Sequence, residues 1–85
     1  MNRDTIRTLL SRLRESLDPS EIDPDTLAST RAFEADIRQF INSEEAPAQT
    51  LMNQAKALEV KFAVEHPIAE RILREIIEAL ARMGV

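Results

Sequence analysis

Residues 64–85 read VEHPIAERILREIIEALARMGV, and the pair His66–Pro67 within them decides how the chain is divided. Proline has no amide hydrogen, and its ring pushes the preceding residue out of the helical region. One helix must therefore end near Glu65, and another can begin at Pro67, the first helical position that proline favours. His66 falls at the boundary between them. Its imidazole could cap the new helix, although histidine is not among the preferred caps. The sequence leaves open whether the two segments are separate helices or one kinked helix.

Downstream of Pro67 the apolar positions are Ile68, Ala69, Ile72, Leu73, Ile76, Ile77, Ala79, Leu80 and Met83, which at about 100° per residue cover roughly half of a helical cylinder. One neighbouring helix cannot cover that width. Either this helix lies in the middle of its own bundle, or part of its face is a dimer seam. Gly84 suits the left-handed position after a helix, and Val85 could fold back on Leu80. Glu70 with Arg74, and Glu78 with Arg82, are spaced as i,i+4 ion pairs.

Upstream, Asn2 can cap a first helix with Ile6, Leu9, Leu10, Leu13 and Leu17 on one face. The segment DPSEIDPD (residues 18–25) then supplies Asp23 as a cap and Pro24 as the first residue of a second helix. Its inward stripe is Phe33, Ile37, Phe40 and Ile41, with Thr30 below and a Glu34–Arg38 pair on the flank. Pro47 can open a third helix whose inward residues are Leu51, Ala55, Leu58 and Phe62. The fold predicted is all-α: a single domain over residues 1–85, built as a small antiparallel bundle of three to four helices. Their expected extents are about 3–17, 24–42, 47–65 and 67–83, with the second and third forming a hairpin.

Composition narrows the function. The 85 residues are 44% hydrophobic and 31% charged, which fits a folded chain too short for two cores. Fifteen acidic and eleven basic residues leave a net charge of −4, and with no Trp or Tyr for base stacking this argues against nucleic acid as a partner. The polar start MNRDTIRTLL lacks the apolar run of a signal peptide, and no stretch approaches the ~20 residues of a membrane span. A cytoplasmic location is expected.

His66 is the only candidate for site chemistry. A metal or general-base role would draw on Glu65 or Glu70, but zinc sites take three or four ligands, mostly His and Cys, and this chain has one His and no Cys. With a single glycine, at position 84, there is no phosphate-binding loop either. No catalytic residue, metal or cofactor is expected. A ligand- or metal-binding bundle centred on His66 stands as a distant alternative.

Two surface features exceed what a minimal bundle requires. Ala57, Val60 and Val64 form a second stripe on the third helix, nearly opposite its inward one, and are the candidate self-association surface. The predicted partner is a second copy, as a homodimer, or another protein. Arg3, Arg7 and Arg14 project within about 40° of one another on the first helix. Such a basic rail could serve an acidic partner or a membrane surface, or its arginines could pair with acidic residues of a neighbouring helix. Asp4 and Glu15 beside it weaken the membrane reading.

TIRTLLSRLRESL (residues 5–17) and FAVEHPIAERILREIIEALARMGV (residues 62–85) together resemble a family of short bacterial proteins known as domain of unknown function 4404. The matching positions are Phe62, His66, Pro67, Leu73, Arg74, Ile76, Ile77, Ala79, Leu80, Met83, Gly84 and Val85. The resemblance implies a bacterial helical domain and carries no activity or ligand.

Overall fold

The computed structural model describes residues 3–43 and 48–82. Asn2 as a cap, Pro47 as a helix start, and the Met83, Gly84 and Val85 ending lie outside the described residues. Four α-helices follow in order: α1 (Arg3–Ser16), α2 (Pro24–Ser43), α3 (Ala48–Phe62) and α4 (Pro67–Arg82). There is no strand among the described residues.

Local chemistry sets the boundaries. The α2 start is as expected: the Thr26 amide donates to Asp23 Oδ2 at 3.0 Å and the Leu27 amide to the Asp23 carbonyl at 2.9 Å, with Pro24 first in the helix. The Thr26 hydrogen bonds, from side chain and then backbone, hold the Asp23 carboxyl below its ordinary pKa. α1 ends at Ser16, one residue earlier than predicted, and Leu17 closes it with a tightened i→i+3 bond to the Arg14 carbonyl. A short 3-10 turn, Pro19–Glu21, then forms where the sequence reads as plain loop. Asp18 fixes that turn by accepting from the Ser20 hydroxyl at 2.8 Å and the Ser20 amide at 3.0 Å, which lowers its own pKa.

The end of α3 needs correction by three residues, from 65 to Phe62. The Pro67 ring would collide with the carbonyl four residues back, on Ala63, so regular helix cannot continue through that position. Residues 63–65 form a turn instead, with the Ala63 amide on the Val60 carbonyl at 3.4 Å and the His66 amide on the Phe62 carbonyl at 2.9 Å. α3 and α4 are separate helices, and theirs is the most extensive contact among the described helices.

The predicted inward residues of α1, α2 and α3 are buried, save Leu17, which is half-buried. The two buried threonines need no other partner element to satisfy the hydroxyl of Thr30, which donates to the Thr26 carbonyl at 2.8 Å. α4 packs on both α3 and α1, and this accounts for its wide face: Ala69, Ile72, Leu73, Ile76, Ala79 and Leu80 are all buried. The core residues form one continuous cluster. At 33 × 19 × 19 Å the molecule is about as long as α2, whose 20 residues span roughly 30 Å.

Candidate functional site

The α3–α4 corner holds the only large aliphatic side chains left in the open among the described residues. Val60 is 76% exposed, Val64 89% and Ile68 66%. Val60 is turned outward because the inward side of α3 is already taken by Leu51, Ala55, Leu58 and Phe62. Val64 lies in the turn that Pro67 imposes. Ile68, in the first turn of α4, sits about 90° from the centre of that helix's buried face. Ala57, the third member of the predicted stripe, is also exposed, and it borders the furrow between α2 and α3 beside Ser29, Ala32 and Lys61.

His66 stands at the centre of this corner, half-buried. Its carbonyl accepts from the Glu70 amide at 3.0 Å, the first bond of α4, so the residue occupies the cap position. Its ring meets Phe62 edge to face, with centroids 5.4 Å apart and an interplanar angle of 85°. Glu65 is exposed beside it, and the half-buried Glu70 pairs with Arg74 on its own helix. Arg74 bridges Glu59 of α3, at 3.1 Å, and Glu70 on its own helix. The Glu70 carboxyl is held below its ordinary pKa by hydrogen bonding to the Glu59 side chain and then to Arg74, and Arg74 is raised by the same two carboxylates. This cluster ties α3 to α4. Among the described residues, no group of three His, Cys, Asp or Glu is placed to hold a metal ion.

The three arginines of the rail have different environments. Arg3 is half-buried with its guanidinium over the Phe40 ring, 5.8 Å from the centroid. Arg7 pairs with Asp4 at 2.8 Å on the exposed side of α1. Arg14 reaches across to Glu34 of α2 at 3.9 Å. Because Glu34 turns toward α1, the predicted Glu34–Arg38 pair does not form, and Arg38 has no ion-pair partner among the described residues. Of the two pairs predicted on α4, Glu70–Arg74 forms and Glu78–Arg82 does not.

Ile68 and Arg38 are the residues that sequence reasoning assigned elsewhere. Ile68 was readable from its angle, at the edge of the α4 stripe rather than its centre. Arg38 was not, because its isolation depends on a cross-helix contact made by another residue. No described helix is long and apolar enough to cross a membrane.

These features define a small, compact, all-helical fold whose α3–α4 corner exposes Val60, Val64 and Ile68. The family model for a domain of unknown function, DUF4404, matches residues 6–85, and the chain belongs to that family. No curated protein and no solved structure matches it.

Proposed function

We propose that this chain is a non-catalytic protein–protein interaction module, an antiparallel four-helix bundle folded as one domain, that self-associates through the α3–α4 corner. The observation that carries the reading is the exposure of Val60, Val64 and Ile68 within nine consecutive residues. Large aliphatics this open and this close together mark a surface that is covered in use. The antiparallel arrangement is supported by the pairing of α2 with α3. Asp36, late in α2, accepts from Gln54 at 3.0 Å, whereas Asp23, before α2, feels the charge of Lys61 late in α3.

A second copy is the occupant that the flanking charges favour. Lys61 and Glu65 adjoin Val60 and Val64 in sequence and both are exposed; Lys61 acts on Asp23 only through its charge. In a two-fold dimer the same patch faces itself, so Lys61 of one copy can meet Glu65 of the other. The strength follows from two opposing magnitudes. Six aliphatic side chains, three from each copy, contribute roughly 1.5–3 kcal/mol each if fully covered, against roughly 4–15 kcal/mol for the loss of free motion. The terms are comparable, so the dimer is weak and depends on concentration.

Cysteine cross-linking provides the test, because the chain has no cysteine of its own. Val60→Cys, Val64→Cys and Ile68→Cys are oxidised mildly and compared with Ala35→Cys, an exposed site on α2. At least one corner variant should form a disulfide-linked dimer much faster than the control. Equal rates at all four positions would contradict the proposal.

A further inference from the structure

The α1–α2 seam, away from the corner, carries a groove lined by Arg7, Arg14 and Arg38 over a floor of Leu10 and Ile41. We infer that this groove binds an acidic peptide segment of a partner protein, its carboxylates held by the three arginines. The inference stands apart from self-association, since it uses the other two helices.

Charge complementarity is the first argument. The chain as a whole is acidic, yet this seam concentrates Arg7, Arg14 and Arg38, with Arg31 in the adjoining furrow beside Arg14. Only Asp4 and Glu34 pair with any of these four among the described residues. The Arg7–Asp4 pair is exposed on both sides, and pairs of that kind contribute little. Arg14 meets Glu34 only at 3.9 Å, the outer limit of an ion pair, and Arg38 is unpaired among the described residues. Guanidinium groups in this state can still take a carboxylate in a two-pronged hydrogen bond.

Shape supports a peptide over the other anions. Arg7 and Arg14 lie two helical turns apart, about 10 Å along α1, close to the ~9 Å between carboxylates three residues apart on one face of a polyproline-II segment. Arg38 approaches from the opposite wall. A lipid surface calls for apolar side chains that project into it. Here Leu10 and Ile41 are buried at the bottom of the groove, and among the described residues lining it no apolar side chain is exposed. Nucleic acid is disfavoured by the net charge, and the one aromatic ring nearby, Phe40, is already covered by Arg3.

The test is a titration of the isotope-labelled full chain with a blocked hexaglutamate peptide at low salt, followed by amide chemical shifts. Saturable changes should concentrate at Leu10, Ser11, Ile41 and Asn42, with hexaglutamine causing none. Arg7→Gln/Arg14→Gln/Arg38→Gln should weaken binding at least about tenfold, as expected if each exposed pair contributes a few-fold. Arg12→Gln/Arg82→Gln, two arginines of the α1–α4 furrow, should leave it unchanged. Arg38→Gln alone, expected to weaken binding a few-fold, provides the reading if the triple variant does not fold. The inference is overturned by absence of binding, by shift changes spread over the whole surface, or by equal weakening from the α1–α4 variant. Binding to vesicles of phosphatidylcholine and phosphatidylserine with none to the peptide would also overturn it, in favour of a lipid surface.

Discussion

Leu58 and Val60 lie two residues apart on α3, yet Leu58 is 2% exposed and Val60 76%. The same contrast separates Phe62, sealed at 1%, from Val64 at 89%. All four are apolar, so their chemistry does not distinguish them. What differs is direction: Leu58 and Phe62 are turned into the core, while Val60 and Val64 are turned away from it and covered by none of the described residues. Hydrophobicity says that a side chain gains from being covered; only the packing says whether one chain can cover it.

The contrast breaks most visibly on its inner side. Phe62→Ala should cost about 3–5 kcal/mol, because it removes a sealed aromatic ring and leaves a cavity among α3, α4 and the edge of His66. Urea denaturation of the folded chain measures it. A loss under 1 kcal/mol would mean that the inner stripe is not the core.

Acid comes next. Asp18, Asp23 and Glu70 all have lowered pKa values in the folded chain, from the Ser20 bonds, the Thr26 bonds and the Glu59 and Arg74 contacts respectively. A carboxyl with a depressed folded pKa binds protons more readily when unfolded, so the stability it contributes is present above the unfolded value of about 4 and fades as pH falls below it. The urea midpoint should therefore drop between pH 5 and pH 3, and Asp18→Asn/Asp23→Asn should show a shallower drop. A midpoint that rises on acidification would contradict these contacts.

His66→Ala should cost at most about 1 kcal/mol, the scale of a weak cap, since its ring makes one edge contact with Phe62 and its two backbone hydrogen bonds are kept by alanine. Zinc calorimetry on the wild type should give no stoichiometric heat. A sub-micromolar zinc signal that disappears in His66→Ala would move the site to the histidine.

Much of this was legible in the sequence, for identifiable reasons. The stripes of α1, α2 and α3 repeat at helical spacing, and Asp23–Pro24 carries its own start signal, so local chemistry sufficed. The α3 end falls short of the proline's immediate neighbour because the Pro67 ring acts on the carbonyl four residues back as well as on the preceding residue. The Pro19–Glu21 turn was missed because it hangs on one side chain, Asp18, closing on Ser20. Arg3 on Phe40 and Glu34 on Arg14 join helices far apart in sequence, and no local pattern encodes which arginine an aromatic ring or a carboxylate will choose. The corner patch was half legible: the stripe Ala57, Val60 and Val64 could be read, while Ile68 was absorbed into a helix face whose edge it occupies.

The smallest effect on the single chain is also the most informative about its association. Val60→Asp/Val64→Asp should change the stability of the isolated chain by no more than about 0.5 kcal/mol, because both side chains already face water. Sedimentation equilibrium from ten to several hundred micromolar, with circular dichroism on the same samples, gives the decisive comparison. Self-association through the corner requires a wild type that shifts from monomer toward dimer across that range and a double variant that stays monomeric with undiminished helix content. A wild type that remains monomeric throughout, or a double variant that dimerises equally well, would contradict it.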